Sequence, residues 1–160
     1  MPSNFQKVAS YGTVTFLSVN LGSKPLVFIS HASTDLWVAK QLEAHIRSCG
    51  ADTFLDCERV EHGDDFEEKI IEAAEEATEL LVLFTPTANN RKYVWMEIGM
   101  FLGARKRIVA ALYGVTKEQI AEDQFTPIVL KKIDSVELNE IGSYLNQLKK
   151  RVETWKQYNE

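Results

Sequence analysis

The stretch Tyr93-Val94-Trp95-Met96-Glu97-Ile98-Gly99-Met100-Phe101-Leu102-Gly103-Ala104 is apolar or aromatic nearly throughout, and Glu97 is its one charge. On a helix, Tyr93, Val94, Met100 and Phe101 would share a face with that acid, being three or four positions away. None of them can pair with a carboxylate, and Glu is rarely buried without a partner. Either the helix exposes an oily patch around one acid, or the acid lies on the floor of a pocket. In the second case an apolar wall makes the carboxyl tunable. Two other stretches carry groups with chemical potential. One is Ser30-His31-Ala32-Ser33-Thr34-Asp35; the other runs from Asp56 through Arg59 and His62 to Gly63.

The elements that would position these groups are legible from Pro25 onward. Leu26-Val27-Phe28-Ile29 is a short continuous apolar run, the mark of a strand buried on both faces. Its polar sequel, Ser30 to Asp35, supplies cap candidates for a helix with Ala39, Leu42, Ile46 and Cys49 inward and Gly50 as its stop. Thr53 to Asp56 reads as a second strand. The polar loop from Cys57 to Asp65 follows, and Asp64 with Glu67 opens a helix at capping-box spacing. That helix buries Phe66, Ile70, Ala73, Ala74 and Ala77. Leu80 to Phe84 is the strongest strand, stopped by Thr85-Pro86, and the loop Asn89 to Lys92 delivers the Glu97 helix. Arg107 to Leu112 and Pro127 to Leu130 read as the fourth and fifth strands. A last helix carries Leu138, Ile141, Leu145, Leu148, Val152 and Trp155.

Such alternation predicts an α/β fold, a flavodoxin-like doubly wound five-stranded parallel sheet with helices on both faces and strand order 2-1-3-4-5. Ligands on these sheets bind beyond the carboxyl ends of the strands, where the order reverses. There the Ser30–Asp35 and Thr85–Lys92 loops meet, and the second leads into Glu97. Residues 1–24 read as an N-terminal arm or an extra edge strand, with β-forming alternation from Thr13 to Leu21. Residues 25–160 form the domain.

Composition narrows the classes. A chain of 160 residues suits one domain, and a net charge of −5 argues against nucleic acid as a partner. No apolar run reaches about 18 residues, and no signal peptide is seen, so a cytoplasmic protein with no membrane partner is expected. Cys49 and Cys57 form neither a metal-ligand spacing nor a disulfide framework.

Several chemistries are excluded by pattern. Neither glycine-rich phosphate-loop signature is present. Ser30-His31 and Thr85-Pro86 stand where a phosphoacceptor domain would need acids. His31, His45 and His62 are scattered, so no metal site is expected. Ser30 and His31, adjacent on a strand, point to opposite faces and make no nucleophilic dyad. A single carboxylate in an apolar setting survives. Ordinary glycosidases need two carboxyls, one to protonate a poor leaving group. One suffices where the leaving group departs unprotonated, as nicotinamide does from NAD+. A lone ionised Glu could then hold the ribose hydroxyls and oppose the positive charge of the transition state.

Phe28-Ile29-Ser30-His31-Ala32-Ser33-Thr34-Asp35 resembles the first-strand box of bacterial TIR domains. Phe54-Leu55-Asp56, with Val60 and Gly63, resembles the second strand and the loop after it. Tyr93-Val94-Trp95-Met96-Glu97-Ile98-Gly99 resembles the aromatic-x-x-x-Glu motif of TIR enzymes. The similarity runs from about Pro25 to the last helix. It implies Glu97 as the catalytic residue for NAD+ cleavage. Ser30, His31 and Asp35 would lie on the first-strand side of the substrate site, and Asp56, Arg59 and Gly63 on the mobile loop. Tyr93 takes the place of the usual Trp, with Trp95 as a second aromatic whose other reading is core packing. Asp35 could equally cap a helix. Arg91 stands where the family often has Ser, which bears on how the nicotinamide ribose is held.

The resemblance implies an NAD+ nucleosidase that makes linear or cyclic ADP-ribose, with NAD+ as substrate and no cofactor. It also implies homo-oligomerisation through TIR–TIR contacts and a bacterial antiphage signal read by a downstream effector. The alternatives are a non-catalytic TIR adaptor and a nucleoside-transferase-like enzyme using the same Glu.

Overall fold

Three mostly apolar runs and two mixed ones become the strands of one parallel sheet, and their alternation decides which helices cover which face. The structure, a computed structural model, describes residues 8–10, 13–15, 22–55, 66–124, 126 and 130–159. The sheet consists of β3 (Leu26–Ser30), β4 (Asp52–Leu55), β5 (Glu79–Phe84), β6 (Arg107–Leu112) and β7 (Asp134–Glu137) in the order β4-β3-β5-β6-β7. Every neighbouring pair is parallel. This is the 2-1-3-4-5 order that the sequence predicts.

Side chains of a strand alternate between faces. Phe28, Leu80, Val82, Phe84, Ile108 and Leu112 point one way, into a core completed by α2 (Phe66–Glu76) and α3 (Lys92–Gly103). Val27, Ile29, Leu81, Leu83, Val109 and Ala111 point the other way, toward α1 (Leu36–Ser48) and α5 (Gly142–Asn159). Ile120 of α4 (Lys117–Glu122) packs on the first core. The helix between β3 and β4 thus lies on one face, and those leading back across the sheet lie on the other. Crossovers of one hand require that distribution.

Gly50 ends α1 as its position suggests, at φ +88°. A Cβ there would come within 3.1 Å of Val152 Cγ1 on α5, so the turn is also where the two helices approach.

Two expectations need correction. The fifth strand is Asp134–Glu137, not Pro127 to Leu130; Leu130 opens a 3-10 turn, and residues 127–129 lie outside the described ones. An apolar run marks a doubly buried strand, but this strand is at the sheet edge and only half-buried, so it carries little of that signal. In the last helix, Leu138 falls in a 3-10 turn and Ile141 just precedes α5, whose buried residues are Tyr144, Leu148 and Val152. Tyr144 is inward because its hydroxyl donates to Glu79 Oε1 at 2.6 Å, a partner that a hydrophobic stripe cannot reveal. The expected capping pair Asp64 and Glu67 lies outside the described side chains.

In the N-terminal part, β1 (Val8–Ser10) and β2 (Thr13–Thr15) pair antiparallel as a separate two-stranded sheet. No described helix is long and apolar enough to cross a membrane.

Candidate functional site

Two rungs join α3 to β3. Phe28, in the middle of β3, meets the Phe101 ring edge-on with centroids 5.6 Å apart. Two residues further along the strand, about 6.6 Å on, the Ser30 hydroxyl donates to Glu97 Oε2. On the helix, Glu97 precedes Phe101 by four residues, about 6 Å. The rises match, so the aromatic contact sets the register in which the carboxylate reaches the serine. Period-two alternation puts Ser30 on the same face as Phe28, the face that α3 covers. Glu97 is 1 % exposed, and Ser30 is fully buried.

The apolar neighbours of Glu97 divide. Val94, Ile98 and Phe101 are core residues. Met100 is half-buried, and Tyr93, one turn before Glu97, is 52 % exposed. The acid therefore sits on the inward side of a helix whose outward side stays apolar.

The loops on either side are tied to each other. Thr85 follows the last residue of β5, and its hydroxyl donates to Asp35 Oδ2 at 2.7 Å. Thr85 Oγ1 in turn accepts from the Ala88 amide at 3.0 Å. Asp35 occupies the cap position of α1 but makes no side-chain capping bond there; its carboxylate holds the loop after β5 instead. Trp95 is half-buried against the edge of Phe84, with centroids 6.2 Å apart, and its indole N–H donates to Asn89 O at 2.8 Å. It braces the loop that leads into α3. His31, next to Ser30, is buried.

The structure thus brings Ser30 onto Glu97, and links Asp35 and Trp95 to the loop between β5 and α3. Asp56, Arg59 and Gly63 lie outside the described residues. Thr85 was not among the sequence candidates. A hydroxyl just past a buried strand and just before Pro86 is a local signal, yet its partner Asp35 is 50 residues away.

The result is a buried carboxylate at the carboxyl end of β3, beside the point where strand order reverses. Residues 27–150 match the family model described as TIR domain. The chain belongs to the TIR domain family. Among TIR proteins, it is 32% identical over 91 residues to BdTIR of Brachypodium distachyon, a probable 2' cyclic ADP-D-ribose synthase. The aligned part is 56% of this chain and 41% of that relative, so the chain spans well under half of the relative's length. The TIR domain of the Toll-related receptor TRR-2 from Hydra magnipapillata superposes with a TM-score of 0.62 at 20% identity, covering 79% of this chain and 97% of that one. The TIR domains of the activated Roq1 resistosome, which recognises the effector XopQ, give 0.54 at 14% identity, covering 84% and 85%. At such identities the two structures speak for the TIR fold alone.

Proposed function

We propose that this TIR domain cleaves NAD+ at the bond between nicotinamide and ribose, with Glu97 as the catalytic residue. The observation that carries the reading is the Glu97 carboxylate, buried at the carboxyl end of the sheet and fixed by the Ser30 hydroxyl. The relative named as a probable cyclic ADP-ribose synthase adds support from outside the chain.

The C1'–N bond breaks with its electron pair passing to the pyridinium nitrogen, so nicotinamide leaves as a neutral molecule and needs no general acid. Positive charge develops on the ribose. Glu97, ionised, accepts hydrogen bonds from the ribose hydroxyls and opposes that charge, and its effect is large because water is excluded around it. Ser30 holds the carboxylate in one orientation. Water then captures the sugar and releases a proton, giving ADP-ribose. A nucleophile of the same ADP-ribosyl group, such as a ring nitrogen of the adenine, gives a cyclic product instead. Substrate contacts are assigned to His31, Asp35, Tyr93 and Trp95 and, on the resemblance of their stretch to TIR enzymes, to Asp56, Arg59 and Gly63. We further propose that the active form is a self-assembled one, acting in the cytoplasm, and that its product is a bacterial antiphage signal read by a downstream effector.

The deciding experiment is nicotinamide release from NAD+ at high protein concentration, with mass spectrometry of the second product. Wild-type turnover with a silent Glu97→Gln variant supports the reading. Equal turnover in the two removes Glu97 from the mechanism, and absence of turnover in both favours an adaptor that only assembles.

A further inference from the structure

A second site lies at the opposite end of the sheet from Glu97. A cavity of about 320 Å³ opens beside the first residues of β5 and β6 and the last turns of α5, with Glu79, Arg107, Arg151, Trp155 and Tyr158 in its wall. Glu97 meets Ser30, which pairs with Val82 of β5, so it stands three residues, about 10 Å, further along the sheet from Glu79 and on the other face.

Glu79 is a buried acid that the NAD+ chemistry does not use. Both its oxygens are occupied. Oε1 accepts from the Tyr144 hydroxyl at 2.6 Å and from Arg151 Nη2 at 2.8 Å. Oε2 accepts from Arg151 Nη2 at 2.8 Å and lies 3.7 Å from Arg107 Nε. One carboxylate thus fixes the Arg151 guanidinium and attracts that of Arg107, and the cluster retains one net positive charge. Arg107 and Arg151 are each partly open to the cavity, with N–H donors left over in a fork suited to phosphate. Arg151, Trp155 and Tyr158 fall on one face of α5 at spacings of four and three, so the indole and phenol rings share the cavity wall with the two guanidinium groups. Trp155 is half-buried and Tyr158 exposed. A purely structural ion pair would need neither the cavity nor the aromatic wall.

We propose that this cavity binds a nucleoside monophosphate, its phosphate on Arg107 and Arg151 and its base against Trp155. The volume is at the lower end of the range for small-molecule sites, about 300–1,000 Å³, which suits one nucleotide and not two. Stacking on an aromatic ring accepts any base, so the site selects a phosphate joined to a planar ring, not one nucleobase. The assignment does not depend on the role of Glu97.

The test uses the full chain, titrated separately with AMP, adenosine and inorganic phosphate. Affinity is read by calorimetry and location by backbone amide resonances. AMP should bind at least about tenfold more tightly than either fragment, because only AMP engages both halves. Its largest shifts should fall on Thr78, Arg107 and Thr154, not on Ser30 and Glu97. Arg107→Gln, a half-exposed change that leaves the Glu79–Arg151 bond in place, should weaken AMP about tenfold. Trp155→Leu should weaken AMP and spare phosphate; if that variant does not fold, the Arg107→Gln comparison decides alone. Equal affinity for phosphate and AMP overturns the nucleotide assignment. So do shifts confined to the Glu97 end, undiminished affinity in Arg107→Gln, and absence of binding at about 10 mM AMP.

Discussion

Ser30 and Glu97 act as one unit, and replacing the serine tests whether that unit matters for more than stability. A hydrogen bond to a charged group contributes about 1.5–3 kcal/mol. If its loss is felt mainly where charge develops, Ser30→Ala should lower kcat by about ten- to a hundredfold. Steady-state nicotinamide release checks this, with circular dichroism as the control for folding. An unchanged kcat would reduce Ser30 to a core-filling residue. Tyr144 makes a different kind of prediction. Burial first, and then the Glu79 carboxylate, push its hydroxyl far above the ordinary tyrosine value of 10.0. The folded state therefore keeps the phenol proton where the unfolded chain loses it. That contribution to stability is complete below about pH 10 and is lost as pH rises above it, by up to about 1.4 kcal/mol per pH unit. Denaturant unfolding between pH 9 and pH 11 should show a steeper alkaline fall for wild type than for Tyr144→Phe. Parallel curves would mean that Tyr144 ionises freely in the fold.

At the scale of elements, Gly50 joins backbone conformation to helix packing. It combines a left-handed φ with a close approach to Val152 on α5. Gly50→Ala should cost about 1–2 kcal/mol for the backbone alone. Part of any further loss is the displacement of α5, which lowers the thermal midpoint without touching Glu97. Thermal unfolding of the variant measures this, and an unchanged midpoint would mean that the turn has room to relax. The same elements show what a sequence reveals. Strands β3, β5 and β6 are legible because burial on both faces makes them continuously apolar. The half-buried edge strand β7, Asp-Ser-Val-Glu, carries no such run. Glu97 stood out because a lone acid in an apolar helix is chemically odd. Its partner was concealed by distance, since Ser30 is 67 residues away. Alternation along β3 already placed that serine with Phe28. Only the packing of Phe28 on Phe101 says that this face meets α3 at the height of Glu97. Tyr144 illustrates the converse: outside the apolar stripe of the last helix, it is both core and polar, because its hydroxyl reaches a buried acid.

For the whole molecule, α3 connects the proposed chemistry to the proposed assembly. Its inward side holds Glu97, while Met96 and Leu102 are exposed on its outer side. Gly99 and Gly103 have open space where a Cβ would stand, so another surface can come close to the backbone there. A self-associating enzyme in which this face is covered must obey mass action. Well below the dissociation constant, the assembled fraction grows with concentration, and activity per molecule grows with it. Specific nicotinamide release should therefore rise about tenfold or more between about 0.1 and 100 µM protein, a range that brackets association in the micromolar regime. Met96→Lys places a charge on the outer face and leaves Ser30 and Glu97 in place. Across an interface between two copies that charge meets its own kind or loses its water, so the rise should shift to higher concentration while the plateau stays the same. A specific activity that is flat over the range would show a single copy to be sufficient. A Met96→Lys curve that superposes on wild type would move the contact to another face of the domain.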